Sequence, residues 1–339
     1  MAALARAGLA GAALAIGVTA APRAASAFAA WESDSGDVAL ELRGNFRWNL
    51  IGTVPLDDDL PDADLAHTSF IRLVGETFVG SWLFAEVHAL QVVSTIPAQP
   101  LNAAAFNLAR TGERNRTAAL RWTQAEEDVS AFLELDRAAV RLSLAPFDLT
   151  VGRQPINLAT ATLFTPNDFF APFAAQAFFR VYKPGVDAAH LNLELGPFTY
   201  LAAYAVLGYD RESRLGIVTE PKSDDPVSLE QSSLLGRAVT SVGDFEISLL
   251  GGVVADRVVL GGGVQGELFE WLGVRAEGHG KLDAGPDEER ELLAAIGVEH
   301  RFESSLFIVL EYYFNGAGAA DPADYVATLQ RGLGDLPYL

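Results

Sequence analysis

The chain has 339 residues, 50% of them hydrophobic, with 24 Lys and Arg against 44 Asp and Glu for a formal net charge of −20. That balance leaves no basic patch to neutralise phosphates, which argues against nucleic acid as a partner, and the absence of cysteine rules out disulfide frameworks and thiolate metal sites. The 20 Phe, 8 Tyr and 5 Trp are too many for a disordered acidic chain, and beyond the N-terminus no apolar run reaches the roughly 20 residues of a membrane helix.

The first segment, 1–27, reads as an export signal. Arg6 gives the positive start, Gly8 to Ala21 the apolar stretch and Ala25-Ser26-Ala27 a small-residue cleavage site. The mature chain is expected to begin at Phe28, with Ala27-Phe28-Ala29 as a competing site. A retained membrane anchor is the alternative, but the stretch is short and rich in Ala and Gly.

From Val38 the pattern is alternation with a period of two, which sends successive side chains to opposite faces of a strand. In Val38 to Leu50 the apolar face is Val38, Leu40, Leu42, Phe46, Trp48 and Leu50, opposite Glu41, Arg43, Asn45, Arg47 and Asn49. The acidic connection that follows holds Asp57, Asp58, Asp59, Asp62 and Asp64. Its carboxylates are of the kind that hold calcium, but it lacks the glycine of a calcium loop and reads as a solvated loop.

Strands are then expected at Ser69 to Phe78, Trp82 to Val93, Phe132 to Leu144, Leu149 to Asn157, Ala189 to Leu195, Thr199 to Leu207 and Leu234 to Val242. Further ones follow at Phe245 to Val254, Val258 to Leu268, Leu272 to Lys281, Leu292 to Phe302 and Leu306 to Asn315. A parity change between Leu135 and Ala138 calls for a β-bulge near Asp136-Arg137. Very short turns, such as Ala145-Pro146, Gly196-Pro197 and Gly243-Asp244, mostly alternate with longer connections, and aromatics such as Trp82, Phe147, Phe198 and Trp271 lie near strand ends. Short turns on one side, long loops on the other and aromatic girdles are features of outer-membrane barrels.

The expected fold is therefore all-β: an antiparallel transmembrane β-barrel over 28–315 with about 13 recognisable strands, in the bacterial outer membrane and in contact with its lipid. A soluble β-sandwich would show the same alternation but would bury its apolar face. Residues 316–339 show no alternating stretch and resemble an extracellular loop, so the strand count is odd and the sequence is expected to be C-terminally truncated. The lipid-facing pattern indicates no oligomeric interface.

Three segments are more specific: Val151 to Asn157 (VGRQPIN), Phe164 to Phe173 (FTPNDFFAPF) and Tyr182 to Ala188 (YKPGVDA). Together they resemble a run found in porin-like outer-membrane barrels related to alginate-export channels, and Leu310 to Gly316 (LEYYFNG) is similar to a late strand of such proteins. The resemblance implies a passive or substrate-selective pore without naming its solute. Alginate channels carry a strongly basic lumen, which this sequence lacks.

The Leu158 to Pro184 connection is the best functional candidate, because Phe164, Phe169, Phe170, Phe173, Phe178 and Phe179 are too apolar for a freely solvated loop. Folded into the barrel it would narrow the pore, with Arg153, Asn167, Asp168, Phe169, Phe170 and Arg180 at the constriction; a lid over the rim is the alternative. Lumen lining is expected from Glu41, Arg43, Arg47, Glu86, His88, Arg275, Glu277, His279 and Lys281. Glu86-x-His88 and Glu277-x-His279 each set a carboxylate and an imidazole on one strand face, as a metal site or an acid–base pair would, but read as ordinary lining. No Gly-x-Ser-x-Gly motif is present, and Gly261-Gly262-Gly263 sits inside an alternating segment, where it permits bending or close packing. The expectation is a channel for small hydrophilic solutes, not an enzyme, with no cofactor and no metal; a structural or ligand-binding barrel with a plugged lumen is the alternative.

Overall fold

The computed structural model describes residues 16–19, 29–53, 64–95, 113–126, 129–172, 182–211, 213–214, 217–218, 222–282 and 291–316. Among these no helix is long and apolar enough to cross a membrane. The chain divides into two compact units, one built from Met1–Thr77, Glu86–Ala109 and Leu120–Asp136, the other from Phe78–Ala85, Arg110–Ala119 and Arg137–Leu339.

The first unit contains β1 (Ile16–Thr19), β2 (Ala29–Glu32), β3 (Val38–Thr53) and β6 (Arg121–Ala125), together with most of β4 (Asp64–Val79) and β5 (Leu83–Thr95) and the first half of β7 (Val129–Leu144). Both β1 and β2 pair antiparallel with β3, and β6 pairs with β7. The hydrogen-bonding order is β3-β4-β5-β7.

The second unit continues from β7 through β8 (Phe147–Gln154), β9 (Val186–Gly196), β10 (Thr199–Tyr209), β13 (Val227–Val242), β14 (Phe245–Val254), β15 (Arg257–Leu268), β16 (Leu272–Lys281), β17 (Leu292–Arg301) and β18 (Phe307–Asn315). Each pairs antiparallel with the next. A separate ribbon joins β11 (Ser213–Arg214) to β12 (Ile217–Val218). The fold is all-β, and the sheet order begins at β1 and ends at β18, so the sheet is open among the described residues.

All the segments expected from alternation are strands, and several extend further: β3 runs on to Thr53, β4 starts at Asp64 and β13 at Val227. Some fall short at one end: β5 starts at Leu83, β17 ends at Arg301, β18 starts at Phe307, and β8 stops at Gln154, where Pro155, lacking an N–H, opens the long connection. Exposure changes parity within β7, from exposed Leu133 beside buried Glu134 and Asp136 to buried Ala139 beside exposed Val140, where a bulge was expected. Gly152 holds φ at +121°, and a Cβ there would lie 2.3 Å from Ala138 O, so this position of β8 accepts only glycine.

Burial is inverted relative to a soluble protein. Leu249 is 65% and Leu310 66% exposed, and Leu40, Phe46, Ile71, Leu73, Leu234, Leu260 and Ile296 are exposed as well. On the opposite parity Arg72, His88, Glu134, Asp136, Arg153, Glu277 and His279 are buried. Arg72 is tied to Asp136, and Arg121 Nη2 lies 2.6 Å from Glu134 Oε2. Isolated charges could not be buried in this way, whereas paired and hydrogen-bonded ones can.

Some buried strand faces are apolar rather than polar, as on β17, which buries Leu293 and Ala295, and on β10. In β10 the outward Leu201 and Leu207 are exposed, but the inward residues are also apolar: Ala202, Tyr204 and Val206. They join Leu235, Leu250, Val254 and Val259 in an inward apolar cluster that needs a cover.

Candidate functional site

The cover is the connection after β8. Ile156, Leu158, Phe169, Phe170 and Ala171 complete the cluster begun by β9, β10, β13, β14 and β15. Each buried phenylalanine contributes about 1.5–3 kcal/mol from apolar area removed from water. Pro155, Pro166 and Pro172 interrupt any ladder along this stretch, leaving its N–H groups for other acceptors.

Two carboxylates on the polar face supply those acceptors. Glu277 of β16 accepts from the N–H groups of Thr160, Ala161 (2.8 Å) and Asn167 (3.0 Å). Glu311 of β18 accepts from Thr162 (2.9 Å), Leu163 (3.0 Å) and Phe164. A carboxylate receiving several N–H groups is a strong, charge-assisted anchor. Around it Asn167 donates to Gly262 O at 2.9 Å, its Oδ1 lies 3.2 Å from His279 Nδ1, and the Phe169 ring sits 4.7 Å from that of His279. Phe164 stacks on Tyr313 at 5.0 Å.

The glycines of β15 make room for this approach. A Cβ on Gly263 would lie 2.7 Å from Thr160 Oγ1, so the loop rests on a position without a side chain. Close packing is thus what Gly263 permits.

A second anchor lies at the end of the loop. Lys183 donates to Asp168, and burial pushes the Asp168 carboxyl up and the Lys183 ammonium down, each against the pull of the other. Arg137 Nη2 donates to Lys183 O at 2.8 Å. At Asp187, the last polar residue of the YKPGVDA run, Arg153 binds through Nε at 2.7 Å and Nη2 at 3.1 Å, and Tyr209 Oη and Thr117 N also donate.

Of the residues expected at a constriction, Asn167, Asp168, Phe169 and Phe170 come together on the face that carries Glu277 and His279, and all four are buried. They fix the loop; its Ala161 and Thr162 border open space. Arg153 is buried at Asp187 and Thr117, away from this group of contacts. Arg180, Phe173, Phe178 and Phe179 lie outside the described residues, as do residues 1–15 and 20–27 of the expected signal segment, with its Ala25-Ser26-Ala27 cleavage site, and most of the acidic Asp57 to Asp64 connection.

The lining residues divide between the units. Arg275 donates to Thr160 O (3.1 Å), Gln265 Oε1 (2.9 Å) and Glu299 Oε1 (2.9 Å), and Lys281 pairs with Glu291. In the first unit Arg43 pairs with Glu76 and lies 3.9 Å from Glu41, Arg47 sits over the Phe70 ring at 4.2 Å, and Glu86 Oε2 lies 2.9 Å from His88 Nε2.

An open cavity of about 1180 Å³ lies beside the loop at the short-turn end of the second unit. Its wall includes Thr162, Glu246, Trp271, Arg275, Glu299 and Arg301. Both charge signs and aromatic edges face it, and it is larger than the roughly 300–1,000 Å³ of small-ligand pockets.

Two parts of this arrangement were not visible as functional in the sequence. Glu311 alternates with Leu310 and Tyr312, which sets it on the polar face of its strand, but nothing local indicates that its partner is a loop nearly 150 positions away. The segment around Glu113–Asn115, within the second unit, packs on the end of β10, with Asn115 donating to Leu207 O at 2.9 Å and Arg211 donating to the carbonyls of Glu113 and Arg116. No protein-family model matches the chain, and no curated protein matches it.

Proposed function

We propose that this chain is an outer-membrane β-barrel channel that passes small hydrophilic solutes, with residues 155–172 narrowing its lumen. The observation that carries this reading is the inverted burial: strands with leucines such as Leu249 and Leu310 exposed and charges such as Arg72, Asp136 and Glu277 buried. A surface of that kind is stable against hydrocarbon, and the polar parity then lines a water-filled interior. The aromatic residues near strand ends and the resemblance of the VGRQ, FTPNDFFAPF and YKPGVDA runs to porin-like barrels point the same way.

The extent of loop docking favours a second reading, a ligand-binding or structural barrel with a plugged lumen. Six loop N–H groups held by two carboxylates, plus two buried phenylalanines, are more anchoring than a mobile lid needs. Planar-bilayer recording of the purified, refolded protein separates the two: the channel reading expects stepwise conductance, and silent bilayers with correctly inserted protein would leave the plugged barrel.

A further inference from the structure

We infer that Glu76, Glu86 and His88 form a binding site for one divalent transition-metal ion of the zinc type. Glu76 stands on β4, and Glu86 and His88 stand two positions apart on the neighbouring β5. One ligand atom from each residue lies within 4.8 Å of the others. The site belongs entirely to the first unit, whereas the loop and its carboxylates are part of the second.

The donor set decides the class of ion. Calcium and magnesium prefer all-oxygen shells, whereas an imidazole beside two carboxylates suits zinc and its neighbours. Two carboxylates and a neutral imidazole balance a dication, and three protein ligands leave a fourth tetrahedral position for water or a solute group. Tetrahedral donors about 2.0–2.2 Å from one ion stand about 3.4 Å apart, so Glu86 Oε2 and His88 Nε2, now 2.9 Å apart, open a little on binding and the wider spacings, all within 4.8 Å, close in.

The surroundings fit as well. Arg43 donates to Glu76 Oε2 and so fixes the carboxylate's orientation, the role of an outer-shell partner. The two glutamate side chains are each 15% exposed and the imidazole only 4%. An ion arriving from solvent therefore meets the carboxylates first and the imidazole at the floor.

The test uses the full chain, refolded in detergent and stripped with chelator, titrated with zinc chloride in a calorimeter. The expected result is one saturable site per chain, lost in His88→Ala and weakened by about 10–100-fold in Glu86→Gln, the range that disturbed ligand geometry costs metal sites. Glu194→Gln, on β9, should bind as the unaltered chain does. Zinc K-edge absorption of the unaltered protein should show one imidazole among oxygen ligands, and this measurement decides the matter if His88→Ala does not refold. Absence of saturable binding, binding that survives His88→Ala, or a spectrum without imidazole would overturn the site. Silent bilayers with intact zinc binding would remove the channel reading and leave this one standing.

Discussion

Both units carry carboxylates on the polar faces of their strands, but the second adds another way of satisfying them. In the first, side chains meet side chains: Arg72 holds Asp136, Arg121 holds Glu134 and Arg43 holds Glu76. The second has such pairs too, as Lys183 with Asp168 and Arg153 with Asp187, but there Glu277 and Glu311 are met by the main chain of a loop. Strand alternation specifies both faces equally well. Whether a carboxylate ends in an ion pair or clasps a backbone depends on what the long connections bring to it.

The largest expected effect tests the first arrangement. Arg72→Met leaves Asp136 buried without its cation and should cost about 3–5 kcal/mol, while Arg72→Met combined with Asp136→Leu should recover most of that. Denaturant unfolding of the refolded protein reads both; equal losses for the single and double variants would show that the pair is not what stabilises this face.

The outer face comes next. Leu42→Arg places a charge on the exposed parity of β3 and should cost about 2–4 kcal/mol in a bilayer, whereas Asn45→Arg on the other parity should assemble normally. Similar folding yields into lipid vesicles would break the assignment of faces.

Glu311→Gln sharpens the contrast between units. Losing the charge on an acceptor of several N–H groups should cost about 1.5–3 kcal/mol locally. Protease cleavage within 158–172 should rise, and any conductance with it, while Glu134→Gln should leave cleavage at those positions unchanged. Gly263→Val should act on the loop without altering a charge, by pushing Thr160 away at about 1–3 kcal/mol. If cleavage stays constant in both loop variants, the carboxylates and the glycine do not hold the loop.

The smallest effect is selectivity. The acidic surplus resides largely in connections, and carboxylates near a mouth concentrate cations within a Debye length of about 8 Å at physiological salt. Reversal potentials at low salt should show a modest cation preference; an anion preference would contradict this arrangement.

The strands were legible because their signal is local. In Leu272 to Lys281, Val274 and Ala276 alternate with Arg275, Glu277 and His279 within a few residues, and that suffices to place every side chain on a face. The loop was legible only halfway. Its phenylalanines announce that they must pack on something, but the partner surface is assembled from Val186, Tyr204, Val206, Leu235, Leu250 and Val259, scattered over five strands. For the same reason β10 looked like an ordinary alternating strand, although its inward residues are apolar and become intelligible only once Phe169 and Phe170 are seen to cover them. Asp187 sat in a recognisable run, yet its four donors come from Thr117, Arg153 and Tyr209, which no spacing rule connects.

The sequence separation of the loop's anchors also sets an order of assembly. Thr160 waits for a carboxylate 117 positions downstream and Phe164 for one 147 positions downstream. Contacts so far apart along the chain form late, because closing such long stretches costs entropy before any bond is gained. Until β16 and β18 are in place, Phe164, Phe169 and Phe170 have only part of their final surroundings and present sticky surface to other chains. Chains arrested before Glu277 should therefore be held longer by an added holdase chaperone than chains arrested after Asn315, and the moment of their release would mark the docking of the loop.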